Sequence, residues 1–223
     1  LRGVTLEFRS KVDSDGWRKL WDTCNFIGSF LPALLLGVAF ANIFKGVPID
    51  QNGILQGNLL TLLNPYGLAG GLLFVFLFAH HGALWLAFKS EGEIRDRAMR
   101  LAGKLWPVVA VLVVLFLVMS WGMTQLFTNY LVHPVLFAIL LVPVAGLLLT
   151  YSYRRQARPL AAWVGSALLI GGAALFGVVG IFPALLPSSL NPAYSLTIAN
   201  SSSTPLTLSI MLGVALVFVP IVI

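Results

Sequence analysis

Six times along the chain an apolar run reaches the length, about 18 residues or more, that a helix needs to cross roughly 30 Å of hydrocarbon. The runs lie at 26–44, 67–88, 105–127, 134–153, 160–182 and 206–223. Within lipid, every backbone amide and carbonyl must be paired inside its own segment or in a closed barrel. A barrel would alternate polarity along each strand, and these runs do not. The expected fold class is therefore an all-α integral membrane protein: a polytopic transmembrane helix bundle of about six spans in a single transmembrane domain, 1–223. Of the 223 residues, 58% are hydrophobic and 10% charged, against roughly 25% charged in a soluble domain.

The basic residues orient the spans. Arg2, Arg9, Lys11, Arg18 and Lys19 precede the first run, Lys89, Arg95, Arg97, Arg100 and Lys104 separate the second from the third, and Arg154, Arg155 and Arg158 separate the fourth from the fifth. The other links contain only Lys45. By the positive-inside rule, segments 1–25, 89–104 and 154–159 are expected to be cytoplasmic. This asymmetry accounts for the net charge of +6 without a nucleic-acid partner. In KSEGEIRDRAMRLAGK, which resembles an interfacial helix continuing into the third span, Glu93 and Arg97 stand four apart, suited to a surface ion pair, but a solvated connector is the better reading. The link IFPALLPSSLNPAYSLTIANSSSTP is uncharged and rich in proline and serine, which predicts a compact ordered loop lying against protein or the membrane surface.

Ionisable groups inside a membrane mark function, because a charge at the bilayer centre costs about 2.5–3.5 kcal/mol even on lenient scales. None of the six runs contains Asp, Glu, Lys or Arg. That weighs against an ion-coupled transporter, whose midplane site needs carboxylates or broken helices. His80 and His81 are the adjacent pair in FAHHGALWLAF. Neighbouring helical residues point about 100° apart, so the two rings cannot serve one iron from the same side. One of them can be a lone axial ligand, but packing inside the bundle is the better reading. Asp22, just ahead of the first run, suits a helix cap facing the positive end of the dipole, or a buried partner for Arg2. In the fifth run Ala167 and Gly171, then Ala173 and Gly177, repeat at four-residue spacing and predict close helix packing. The six tryptophans fall near run ends, as an aromatic belt would. The single Cys24 permits no internal disulfide and no metal-ligand spacing.

Several blocks resemble subunit II of the cytochrome bd quinol oxidases: RGVTLEFRSK at 2–11, WRKLWDTCNFIGSFLPALLLGVAFANIFKGVP at 17–48, LLNPYGLAGGLL at 62–73, HGALWLAFKSEGEIRDRA at 81–98 and IFPALLPSSLNPAYSLTIANSSSTPLTL at 181–208. Only 105–160 is generic membrane helix. The resemblance implies a respiratory complex of a bacterial or archaeal cytoplasmic membrane that oxidises quinol and reduces dioxygen to water, adding to the proton gradient without pumping. It implies that two haems b and one haem d belong to an obligate partner, subunit I. This chain would be a non-catalytic scaffold, with membrane lipids, a possible structural quinone and small accessory subunits around it. The family-sensitive charged positions correspond to Arg2 and Asp22, and His80 and His81 are not among its haem ligands. The family's first helices are missing from the sequence, and the start at Leu1 rather than at a methionine suggests a piece of a longer chain that retains the tail of a truncated helix. No signal-peptide pattern opens it. Two other readings compete: an independent permease, and a haem-binding membrane protein using His80 or His81.

Overall fold

Local polar signals set the ends of the helices that the apolar runs form. A computed structural model describes residues 2–222. A short helix α1 (Arg2–Phe8) leads into α2 (Asp15–Lys45). Asp15 lies in the first turn of α2 and Lys45 in its last, each complementing the helix dipole. One turn, α3 (Leu59–Leu62), is capped by the Asn58 side chain. Next comes α4 (Pro65–Lys89), whose Asn64 side chain accepts from the Gly67 amide and whose first residue is proline, a residue with no N–H to orphan there. Helix α5 (Gly92–Met123) is followed by α6 (Thr128–Val132), and a 3-10 stretch, Pro134–Leu140, runs into α7 (Leu141–Arg155). Then follow α8 (Pro159–Ile181), β1 (Ala184–Leu186), β2 (Leu196–Thr197), α9 (Ile198–Ser201) and α10 (Pro205–Val222).

Five helical stretches among the described residues are long and apolar enough to cross a membrane: α2, α4, α5, the 3-10 stretch with α7, and α8. The run expected at 206–223 forms the shorter apolar helix α10, and Ile223 lies outside the described residues. The third span differs in register from the expectation of 105–127. It begins at Gly92, so the charged segment is helix rather than the solvated connector favoured from sequence, and it ends at Met123. The apolar residues after it, Leu126 and Phe127, are buried in the connection to α6.

Short links force neighbouring helices to run antiparallel. Helix α4 packs against α2, α5 and α8, while α7 packs on α8. Its contact with α2 depends on Gly37, where an added Cβ would collide with the Gly70 carbonyl. The core is layered along α4 and α8. Leu84, Ala102 and Ala162 pack at the basic end, Leu77, Val109 and Leu169 at mid-depth, and Leu126, Tyr130 and Phe176 at the other end. The outward faces are apolar, with Val111, Val118, Leu148 and Leu168 all exposed, as hydrocarbon rather than water requires.

On α8 the buried residues Ala162, Gly165, Ser166, Leu169, Gly172, Phe176, Gly177 and Gly180 recur every three or four positions. Small residues therefore do line the packed stripe, but not at all the expected positions. Gly177 meets the ring of Phe44, whereas Gly171 is exposed with open space around it.

Beyond α8 the uncharged link forms the compact structure expected of it. β1 pairs antiparallel with β2, and Thr197 and Asn200 close a reciprocal cap on α9. The link is sewn to the segment after α2: Val47 N–H donates to the Pro187 carbonyl at 3.0 Å and Ser189 N–H to the Val47 carbonyl at 2.9 Å. Ser188 Oγ donates to the Ile49 carbonyl at 2.7 Å. Gly46, at φ +87°, makes the turn that brings the two segments together, a backbone region that side-chain-bearing residues avoid.

Candidate functional site

The two histidines occupy different interfaces, as a rotation of about 100° per residue requires. His80 is fully buried against α5 near Ala102, and neither ring nitrogen has a hydrogen-bond partner. His81 faces α8, with Nδ1 2.7 Å from Ser166 Oγ and its ring 5.1 Å from that of Trp163. Ser166 Oγ also lies 2.7 Å from the Trp163 carbonyl. A hydroxyl has one proton, and the carbonyl can only accept it. Nδ1 of His81 must then carry the hydrogen it gives to Ser166, and the residue works as a clamp between α4 and α8.

His80 is enclosed by packed helix and the two rings diverge, so the pair does not fit a single haem. Among the described residues no group of three His, Cys, Asp or Glu side chains comes together.

Asp22 lies well inside α2, which starts at Asp15 after Ser14, so it does not cap the helix. The amphipathic turns ahead of the apolar run are helical too, and they carry the N-terminus back to Asp15. Nor is Arg2 its partner. Asp22 takes a two-pronged ion pair from Arg9, with Nε to Oδ1 at 2.6 Å and Nη2 to Oδ2 at 3.2 Å. Both side chains are about half exposed, the setting in which such pairs contribute little by themselves. The pair ties α1 to α2, alongside Trp17 Nε1–H donating to the Phe8 carbonyl at 2.8 Å. The Glu93–Arg97 ion pair forms as its spacing indicated, at 2.6 Å.

Two polar clusters at the end opposite the basic segments were missed by reading sequence alone. Asn42 is buried and donates to the Val38 carbonyl at 2.7 Å and the Leu62 carbonyl at 2.8 Å, while Asn64 donates to Asn42 Oδ1 at 2.7 Å. This joins α2 to the start of α4. Tyr66 OH lies 2.7 Å from Ser120 Oγ, and Ser120 donates to the Phe116 carbonyl, so the tyrosine donates and locks α4 to α5. The only advance signal was the presence of both asparagines in quoted blocks, FANIFKGVP and LLNPYG.

A cavity of about 320 Å³ lies at the middle of the bundle, between α2, α4, α5, α7 and α8. Its walls are apolar throughout, including Phe40, Phe74, Phe116 and Leu169. Such a space accepts an apolar chain or a small apolar molecule and offers nothing to orient a polar head.

The model of the cytochrome bd terminal oxidase subunit II family matches residues 1–223. The chain belongs to that family. It is 33% identical over 222 residues to the cytochrome bd ubiquinol oxidase subunit 2 of Bacillus subtilis, covering 100% of this chain and 65% of the relative. Against the probable cytochrome oxidase subunit 2 of Haemophilus influenzae it is 33% identical over 251 residues, covering 99% of this chain and 66% of the relative. Against the cytochrome bd-I ubiquinol oxidase subunit 2 of Escherichia coli strain K12 it is 32% identical over 257 residues, with the same coverage. The chain thus spans just under two thirds of the length of these curated relatives. The five long apolar helices above fit membership of the subunit II family.

Proposed function

We propose that this chain acts as the scaffold subunit II of a terminal oxidase that oxidises quinol and reduces dioxygen to water, itself supplying no catalytic group. The observation that carries this reading is the family match along the whole chain, 1–223. The interior agrees with it. Buried Asn42, Thr150 and Ser166 are spent on holding helices together. The two haems b and the haem d then belong to subunit I, with which this chain forms an obligate heterodimer. Small accessory subunits can bind at its edges. Electrons leave quinol and reach dioxygen within the partner, and this subunit contributes the wall that assembles and retains the haems.

The basic ends of the helices face the cytoplasm of a bacterial or archaeal cell in this reading, and the uncharged segment after α8 faces outward. Arg2 and Asp22 act in joining the subunit's parts or its partner, Asp22 through Arg9. The central cavity would take the isoprenoid part of a structural quinone, whose head must find its polar contacts elsewhere.

The test is the visible spectrum of the reduced protein after gentle detergent extraction, with co-purifying chains identified by mass. Haem bands that follow a larger partner, and vanish when this chain is separated from it, are the expected result. Haem retained by the isolated chain would overturn the reading and return His80 and His81 to consideration.

A further inference from the structure

We propose that the basic end of α5, α7 and α8 holds one anionic phospholipid, its headgroup on Arg95 and Arg158 and an acyl chain in the groove beneath. The groove has a volume of about 800 Å³ and runs between the end of α4 at Phe88, α7 at Leu149 and Tyr153, and α8 at Leu160, Val164 and Leu168. Residues 158 to 168 span ten helical steps, about 15 Å. That distance is half the hydrocarbon thickness of a bilayer, so the groove reaches from headgroup depth to the midplane.

Its charge is confined to the mouth. Arg95 and Arg158 stand there, and Arg95 also borders a second cavity of about 420 Å³ lined by Arg100, Arg154 and Asp96. Four guanidinium groups thus meet one carboxylate. Among the described residues none of the four takes part in an ion pair. Arg95 donates to the Ala157 carbonyl at 3.3 Å, and Nε of Arg154 is buried without a partner. By contrast Arg97, on the same helix, is already matched by Glu93. Planar guanidinium forks suit the paired oxygens of a phosphodiester. The first turn of α8, opened by Pro159 without a side-chain cap, adds the positive end of a long helix dipole at the same level.

Charge and shape select the occupant together. A zwitterionic lipid would fill the groove but leave the arginines in excess, and free phosphate would meet the arginines but leave the groove empty. Basic pockets between helices on the cytoplasmic side are suited to acidic headgroups. The inference stands on this chain's own side chains and does not depend on the oxidase reading.

To test it, the protein, purified with the chains that accompany it and delipidated by detergent exchange, is titrated with dioleoylphosphatidylglycerol or dioleoylphosphatidylcholine in micelles. Binding is read by native mass spectrometry. The phosphatidylglycerol should bind more tightly. The double variant R95Q/R158Q should weaken its binding about 25-fold, from roughly five-fold per arginine. R97Q, with the same loss of one charge on α5, should stay within about two-fold. L168W, which fills the groove and leaves the charge alone, should weaken binding as well. If the double variant fails to assemble, the exposed single change R158Q and L168W decide. Equal affinity for the two lipids, or a loss in R97Q as large as in R158Q, would overturn the proposal. Competition by inorganic phosphate together with indifference to L168W would also overturn it, by making this an anion site without a lipid.

Discussion

Asp50, in the segment after α2, gathers three donors: the amides of Asn52 at 2.8 Å and Ile54 at 2.9 Å, and Gln56 Nε2 at 2.8 Å. The Ile54 amide does most to hold the carboxyl below the usual carboxylate range. Partial burial opposes it, and Asn52 and Gln56 add to the lowering. A folded value below the unfolded one, about 3.9, gives stability that is complete above that pH and is lost as pH falls through the lowered value. Amide exchange at Asn52 and Ile54 should therefore be slower than in D50N at neutral pH, and the difference should vanish as pH falls through the lowered value. Profiles that stay parallel throughout would exclude Asp50 as the organising group. Tyr130 runs the other way. Burial pushes its phenol up to about 12, so its contribution is whole below pH 10 and fades as pH rises from 10 toward 12. The part of the ultraviolet phenolate signal that Y130F removes should appear only near pH 12 in the folded protein and near pH 10 after unfolding. At Asn42 the stake is packing. N42L removes the bonds to the Leu62 carbonyl and from the Asn64 amide, leaving those groups only the longer contacts of Asn64 with Thr61 and Leu62 at 3.3 and 3.4 Å, and should cost about 1–3 kcal/mol, read as a lowered thermal midpoint in detergent. An unchanged midpoint would mean that water takes over the bonds.

Within α8, adjacent glycines have opposite roles. A Cβ at Gly172 would sit 2.6 Å from Pro143 Cδ on α7, while one at Gly171 meets nothing within 4 Å. G172A should destabilise the α7–α8 pair by about 1–3 kcal/mol through overpacking, whereas G171A should be neutral or stabilising by about 0.4–1 kcal/mol through a less flexible unfolded chain. Thermal midpoints of the two variants, measured side by side, check the difference, and equal shifts would dissolve the stripe. Hydropathy could reveal that the segment is a helix but not which face is packed, because small residues occur on both faces and lipid is as apolar as a protein core. The same limit explains the ends of the third span. Leu126 and Phe127 count as membrane by composition, yet they are buried in a turn that Thr124 organises by donating to the Ser120 carbonyl and accepting from the Leu126 amide. At its other end Glu93 to Lys104 reads as solvated, though these residues are good helix formers and continue the helix without a break. The partner of Asp22 was also beyond sequence. Arg2 and Arg9 both precede it, and only the path of α1 across α2 selects Arg9.

At the scale of the whole molecule, the placement of charge and the packing of the helices constrain each other. Five crossing helices alternate direction, so the starts of α2, α5 and α8 and the ends of α4 and α7 share one face, and thirteen of the fourteen basic residues lie toward it. Lys45, the exception, closes α2 on the opposite face, where the carbonyl end of the helix favours a cation. The opposite face instead carries segments without basic residues, sewn together through Val47, Pro187 and Ser188. The charge bias fixes orientation, which makes sidedness a measurable consequence of the sequence. With Cys24 replaced by serine, S202C on the uncharged segment should react with a membrane-impermeant maleimide in intact cells. R155C, exposed at the end of α7, should react only once the membrane is opened. The reverse pattern would invert the topology and put the proposed lipid headgroup site in the outer leaflet. Labelling of both positions in intact cells would mean that α8, the long apolar helix between them, does not span.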